Sequence, residues 1–94
     1  MQLIEVLRQP DLGDDDGATI YVAQPWSPGA QAIVVSPAPD TTAPIERYGE
    51  SFDYFLEAFI AQQFLEDLGA TDKLDTASEK QRCERLILYA KTDA

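Results

Sequence analysis

Few residues in this chain could carry out catalysis. The 94 residues include no histidine, a single cysteine (Cys83) and five scattered glycines. Without histidine there can be no Ser-His-Asp or Cys-His arrangement and no His-ligated metal. One cysteine cannot form a Cys-X-X-Cys redox pair, and scattered glycines provide no phosphate-binding motif. Cys83 lies on the apolar face predicted for the last helix, so we expect a buried, unreactive thiol.

The acidic run Asp14, Asp15 and Asp16 has the composition of a calcium-binding loop. An EF-hand alignment of this run puts Leu12 first and Ala23 last, where the motif requires acidic ligands. The EF-hand motif therefore fails. A solvated turn is the expected structure, with a looser cation site as the alternative.

Asp53 and Glu57 are the other candidates for acid–base chemistry, because they form an i, i+4 pair if their segment is helical. Like charges at that spacing repel weakly when they are exposed. Their pKa values shift usefully only in a buried cleft, and the sequence gives no sign of one. We therefore predict no catalytic residues, no cofactor and no enzymatic activity.

Aromatic and acidic residues in the loops are better candidates for binding. Trp26 is the only tryptophan and lies in a proline-rich turn, and tryptophan is enriched in binding hot spots. Two placements remain open for it: exposed at the tip of a hairpin, or folded back to cap the core. Tyr48, in the next loop, is a weaker candidate of the same kind. The acidic candidates are Asp14, Asp15, Asp16, Asp40, Glu46 and Glu50.

The charge of the chain is distributed unevenly. Seventeen acidic and seven basic residues give a net charge of −10. Residues 1–75 hold fourteen acids and three bases, a net charge of −11, whereas residues 76–94 have a net charge of +1. Such a field repels nucleic acid and anionic membranes, and it speeds encounter with basic partners. The competing explanation is that the charge serves solubility alone.

The first half of the chain predicts a short helix followed by a hairpin. Residues 2–9 have leucine and valine at helical spacing and stop before Pro10. Residues 18–24 and 30–36 contain strong strand formers, and the short proline-containing connection between them predicts an antiparallel hairpin. The polar, proline-rich residues 37–50 are predicted to be a long surface loop.

The second half predicts helices, with one ambiguity. Apolar residues between 52 and 68 recur at helical spacing and favour one continuous helix that stops at Gly69. The alternation over 52–57 also permits a third strand, with the helix starting near residue 59, and a two-stranded hairpin alone would be marginal. Residues 77–91 predict the last helix, preceded by a capping box of Thr76 and Glu79. Its predicted apolar face consists of Cys83, Leu86, Ile87 and Ala90.

These elements fit one α+β domain, a small antiparallel sheet packed against two or three helices. Ninety-four residues leave little room for a second domain. No apolar run approaches the ~20 residues that a membrane span needs, and the first residues lack the basic start of a signal peptide. Together with the single cysteine, these features predict a cytoplasmic protein that contacts no membrane.

Three segments are notable together: Ile20 to Trp26, then Tyr54 to Glu57 leading to Phe64 to Asp67, and Arg82 to Ile87. They resemble small, acidic, single-domain bacterial proteins of unassigned function, some of them similar to immunity proteins, which neutralise a partner toxin. The resemblance implies a stand-alone α+β domain in which Tyr54 to Glu57 is a strand. It implies no catalytic residues.

The sequence therefore predicts an acidic protein-binding or inhibitory module that engages a basic partner protein and does not bind nucleic acid directly. One alternative is a nucleic-acid mimic, whose carboxylates imitate phosphates on a DNA-binding protein. Another is a non-catalytic homo-oligomer, because Leu88 and Tyr89 lie off the main apolar face of the last helix and leave room for a dimer contact.

Overall fold

The computed structural model confirms the α+β class. It describes residues 1–9, 11–12, 14, 17–37, 43–71 and 79–93, with the side chains of 68–71, 79 and 93 left out of the description. The elements are α1 (Leu3–Leu7), β1 (Thr19–Val22), β2 (Ala32–Val35), β3 (Ile45–Arg47), β4 (Glu50–Glu57), α2 (Ala58–Thr71) and α3 (Glu79–Asp93). In this described part of the chain, no helix combines the length and the apolar character that crossing a bilayer requires.

The four strands form one antiparallel sheet in the order β2-β1-β4-β3. The predicted first hairpin is confirmed, with pairs running from Thr19↔Val35 to Val22↔Ala32. Its strands are shorter than the predicted 18–24 and 30–36. β1 lies between β2 and β4, so its backbone is hydrogen-bonded on both edges.

The prediction of a surface loop over the whole of 37–50 is wrong at its end. Ile45–Arg47 is a short edge strand that pairs with the start of β4, and β4 itself begins at Glu50. Tyr48 and Gly49 connect the two strands, and both have positive φ angles, +56° and +74°. Two such residues make the type I′ geometry that closes a tight hairpin. Residues 38–42 lie outside the described part.

Residues 52–57 belong to a strand, so the helical periodicity across 52–68 was misleading in its first half. Ile20 pairs with Leu56 while Tyr21 pairs with Tyr54, which leaves Phe55 as the extra residue of a β-bulge. Because of the bulge, Phe55 and Leu56 are both buried on the same side of the sheet. A bulged strand therefore reproduces the adjacent apolar pair that is typical of a helix.

The first two helices differ from their predicted limits. α1 ends at Leu7 rather than at residue 9, as expected when Pro10 excludes residue 9 from helical geometry. α2 begins at Ala58, directly after β4, and runs past the predicted stop at Gly69 to Thr71. A glycine inside a helix costs only about 1 kcal/mol, which the surrounding helix can offset.

The last helix has the predicted apolar face. α3 runs over Glu79–Asp93, and its buried residues are Cys83, Leu86, Ile87 and Ala90. Thr76 of the predicted capping box lies outside the described residues.

The main core lies between the helices and one face of the sheet. Its sheet residues are Ile20, Val22, Ala32, Phe55 and Leu56, and they pack against side chains from all three helices. The N-terminus is tied to the β2 end of this layer, since the Ala32 N–H donates to the Met1 carbonyl at 2.7 Å and the Leu3 N–H donates to the Ala30 carbonyl at 2.8 Å.

A second, smaller cluster occupies the opposite face of the sheet. Tyr21, Ala23 and Phe52 are buried there, with Tyr54 packed edge-on against Tyr21 at 6.0 Å between ring centroids. The Tyr21 hydroxyl is buried and has no hydrogen-bond partner among the described residues. A buried hydroxyl in that state costs free energy relative to one solvated in the unfolded chain.

Two leucines on α3 test the placement of the main core. Leu86 is fully buried, whereas Leu88 is 63% exposed. We expect Leu86→Ala to lower the free energy of unfolding by about 2–5 kcal/mol, because it leaves a cavity, and Leu88→Ala to change it by less than about 0.5 kcal/mol. Urea denaturation of both variants measures this, and equal losses would contradict the described helix face.

Tyr21→Phe tests the second cluster. Because the variant removes a buried hydroxyl that has no partner in the described part of the chain, we expect the free energy of unfolding to stay unchanged or to rise by up to about 1 kcal/mol. Tyr48→Phe is the matched control, since the Tyr48 side chain is 92% exposed. A clear loss of stability in Tyr21→Phe alone would mean that this hydroxyl is hydrogen-bonded.

Candidate functional site

A concave surface beside α2 is lined by acidic side chains and by an exposed aromatic ring. We call it the acidic groove; its volume is about 380 Å³, and it is lined by Asp14, Phe59, Gln62, Gln63, Glu66 and Asp67. Phe59 is 39% exposed, although it is a large apolar residue. The groove therefore offers an apolar contact surrounded by carboxylate and amide groups.

The helix period explains why these α2 residues share a face. Phe59, Gln62, Gln63 and Glu66 are spaced by three and four residues, and such residues are neighbours on a helix surface. The Gln62 amide donates to Glu66 Oε1 at 3.3 Å, which holds part of this face together.

Asp14 reaches the groove from a turn that precedes β1. The Asp14 N–H donates to the Asp11 carbonyl at 3.1 Å, and Leu12 in the same turn is buried in the main core. Burial of Leu12 anchors the turn, so the exposed Asp14 carboxylate is added to the two carboxylates of α2.

Three carboxylates determine the electrostatics of the acidic groove. Among the described residues, no three histidine, cysteine, aspartate or glutamate side chains are placed so that they could hold a metal ion. Three nearby carboxylates still produce a local negative potential, which attracts lysine and arginine side chains of another protein.

The structure separates the binding residues that the sequence predicts. Asp14 lies in the acidic groove, while Glu46, Tyr48 and Glu50 lie together at the β3–β4 hairpin tip, all of them exposed. β4 connects the hairpin tip to the start of α2, and its eight residues span about 23 Å. These residues therefore form two patches at opposite ends of one strand. The remaining candidates, Asp15, Asp16 and Asp40, lie outside the described residues.

Tyr48 is the most exposed large apolar side chain of the hairpin tip, at 92%. Its φ of +56° is uncommon for a residue other than glycine. The tight turn requires this backbone geometry, and the ring projects into solvent beside the charged side chains of β3.

Trp26 folds back onto the core, which resolves the two placements left open by the sequence. Its indole N–H donates to the Val22 carbonyl at 3.2 Å, and its ring packs edge-on against Phe55 at 5.0 Å between centroids. The outer part of the ring lines a shallow surface groove of about 330 Å³ with Ile87 and Leu88 of α3. Trp26 thus stabilises the core, and only part of it is available to a partner.

Sequence reasoning missed Phe59, Glu66 and Asp67 as parts of a site. Phe59 belongs to the apolar periodicity of α2, which predicts burial and not exposure. Glu66 and Asp67 are the only acids of α2, and the signal that could have identified them is their spacing from Phe59. This spacing indicates a shared surface only if that side of α2 is exposed, and the burial of Ala58 and Ala61 shows which side of α2 faces the core.

Cys83 has the properties expected of a structural thiol. Its side chain is 1% exposed in the main core. Burial, and secondarily the negative charge of Glu84, raise the pKa of the Cys83 thiol from 9.0 to about 11. Because the thiolate is the nucleophilic form, Cys83 should react slowly at neutral pH.

The raised pKa of Cys83 predicts a loss of stability at high pH. The unfolded thiol ionises near pH 9 and the folded thiol near pH 11, so its contribution is complete below pH 9 and is lost as the pH rises to 11. The loss should be about 2 to 3 kcal/mol. Urea denaturation should show a gap between wild type and Cys83→Ala that shrinks over this range; a constant gap would contradict the raised pKa.

Comparison with protein-family models found no match, and comparisons with curated proteins and with solved structures found none either.

Proposed function

We propose that this chain is a non-catalytic protein-binding or inhibitory module whose acidic groove engages a basic surface of a partner protein. The observation that carries the proposal is the groove itself: three carboxylates, those of Asp14, Glu66 and Asp67, line the same groove as the exposed ring of Phe59. Apolar anchors bordered by charge are typical of protein interfaces, where the anchor supplies affinity and the charge supplies rate and specificity.

The charge of the whole chain supports a basic partner. The net charge is −10, and no lysine or arginine is among the described residues that line the groove. Electrostatic steering by such a field raises the association rate with basic proteins and makes it sensitive to salt.

The exposure of Phe59 supports an interface more directly than the charge does. An acidic surface serves solubility equally well, but a half-exposed phenylalanine does not. Burial of a phenylalanine side chain stabilises a complex by about 1.5–3 kcal/mol. We infer that Phe59 is the apolar contact of the interface and that the carboxylates orient the partner around it.

An inhibitor of the immunity type, acting in the cytoplasm, is the biological role we propose. A nucleic-acid mimic is the second candidate, supported by the three carboxylates around one groove, which would take the place of phosphates. The two differ in the partner, since a mimic competes with DNA for it and an immunity-type inhibitor blocks a toxin.

The first experiment is capture of partners from the source cells at low and high salt, with three variants beside the wild type. Asp14→Asn/Glu66→Gln removes two charges from the groove, and Glu46→Gln/Glu50→Gln removes two charges from the hairpin tip. Phe59→Ala removes the apolar contact. A partner of this interface should be basic and released by high salt.

With the captured partner in hand, association and dissociation rates test the placement of the interface. We expect the groove double variant to associate roughly 3- to 10-fold more slowly with a weaker salt dependence, and the hairpin-tip variant to match wild type. Phe59→Ala should dissociate roughly 10-fold or more faster. If only the hairpin-tip variant weakens binding of the partner, the interface lies on β3–β4. If no partner is captured and the protein in solution has twice the mass of the monomer, the homo-oligomer is favoured.

A further inference from the structure

α3 leaves a large apolar side chain exposed near the only tryptophan of the chain. Leu88 is 63% exposed, and Trp26 is half-buried. Tyr89, the residue after Leu88, stacks on Phe64 of α2 at 4.8 Å between ring centroids, so its ring is engaged within the chain. Of the two α3 residues that the sequence favours for a dimer contact, Leu88 is therefore the one that another molecule reaches.

Leu88 and Trp26 line the same shallow groove of about 330 Å³, which we call the Trp26 groove. Its described lining residues are Trp26, Ser27 and Pro28, which follow β1, and Glu84, Ile87, Leu88 and Lys91 of α3. Trp26 and Ile87 also belong to the main core or pack against it. An apolar side chain placed in this groove would leave water and contact the edge of the core.

Two side chains of opposite charge line the Trp26 groove as well. Glu84 and Lys91 are both exposed, and neither has an ion-pair partner among the described residues. They are two helical turns apart, about 10 Å along α3. Leu88 lies between them on one stripe of the helix, since residues three and four apart are neighbours on a helix surface. The stripe therefore presents an acid, an apolar side chain and a base in that order.

A stripe of this kind is complementary to itself. If two copies of α3 pack antiparallel about a twofold axis near Leu88, Glu84 of each copy lies opposite Lys91 of the other. We propose that the Trp26 groove is the contact surface of a homodimer of this chain. In this dimer, Leu88 of each copy packs into the groove of the other, and two Glu84–Lys91 ion pairs flank the axis.

The distribution of charge favours a second copy at this surface. Two chains that each carry −10 repel each other when acidic surfaces meet. α3 differs from the rest of the chain, because Glu79–Asp93 contains four bases and three acids, a net charge of +1. Charges farther apart than about 8 Å are largely screened at physiological salt. Contact through α3 therefore avoids most of the repulsion between two copies.

The size of the Trp26 groove predicts a weak dimer. Its seven described lining residues are fewer than the roughly 20–30 residues that each side of a standard interface contributes. We expect a dissociation constant on the order of 10–100 μM. The Trp26 groove and the acidic groove share no described lining residue. The dimer is therefore independent of the partner binding proposed above and leaves the acidic groove uncovered.

The apolar contact is tested with the purified full chain by sedimentation equilibrium between about 10 μM and 1 mM. The mass should rise from that of the monomer toward that of the dimer over this range. Leu88→Gln should weaken dimerisation at least roughly 10-fold, and it should stay folded because Leu88 is exposed in the monomer. A monomer at the highest concentration, or a dimer that Leu88→Gln leaves intact, would overturn the proposal.

Trp26 reports whether the dimer forms at this groove, because it is the only tryptophan. We expect its fluorescence emission to shift to shorter wavelength as the wild-type chain is concentrated, since dimerisation removes the outer part of the ring from water. Leu88→Gln should show no such shift over the same concentrations. A dimer that forms without any change in Trp26 emission would mean that the contact lies elsewhere.

Charge reversal tests the ion pairs. Glu84→Lys and Lys91→Glu each place like charges opposite one another twice in a homodimer, so each should weaken it roughly 5-fold or more. A mixture of the two variants restores both opposite-charge pairs and should form heterodimers about as tightly as wild type. Glu84→Lys also replaces an acid with a base in a chain of net charge −10. If net charge alone governed association, this variant would dimerise more tightly than wild type.

Arg85→Glu is the matched control for Lys91→Glu. It makes the same change in net charge at an exposed position of α3, and Arg85 is not among the described residues that line the groove. Arg85→Glu should therefore dimerise nearly as wild type does. Equal weakening in Arg85→Glu and Lys91→Glu, or failure of the mixed charge variants to associate, would overturn the proposed pairing.

The dimer and the acidic groove are tested separately. The Asp14→Asn/Glu66→Gln variant should dimerise at least as well as wild type, whether or not the acidic groove binds a partner. If the wild-type chain stays monomeric and a captured partner is lost from Leu88→Gln, the Trp26 groove binds that partner, and the homodimer is excluded.

Discussion

The rest of the structure depends on the burial of β1 on both of its faces. All four residues of Thr19–Val22 are buried, and neighbouring strands satisfy the backbone on both edges. Side chains alternate across a strand, so Ile20 and Val22 require cover on one face and Tyr21 on the other. The helices cover the first face, and side chains of the flanking strands enclose Tyr21 on the second. A sheet of only two strands could not meet this requirement.

The bulge at Phe55 links the burial of β1 to the position of the acidic groove. The bulge sets which side chains of β4 face the helices. β4 then continues into α2 without a loop, and the Ala58 N–H donates to the Ala18 carbonyl at 3.0 Å. Ala58 and Ala61 are then fully buried. Since successive helical residues are about 100° apart, this orientation turns Phe59 away from the core. Exposure of its ring thus follows from how the strand ends.

The sequence was sufficient for local structure where one pattern dominated. Alternation and turn residues predicted the β1–β2 hairpin, and the apolar face of α3 was predicted residue by residue. The sequence failed where two periods overlap, because the adjacent Phe55 and Leu56 fit a helix as well as a bulged strand. β3 was missed since three residues beside prolines carry little strand signal, and it is stabilised by pairing with β4. Pairing of that kind is set by tertiary structure.

The candidate site was less predictable from the sequence, because net charge adds up all charged residues, whereas a binding surface depends on where in the fold those residues lie. A charge of −10 predicts repulsion of anions everywhere, yet the helices collect Arg8 and Arg82 at one cleft and three carboxylates at another groove. The net charge of a chain therefore gives no sign of which surface collects the acidic side chains and which collects the basic ones.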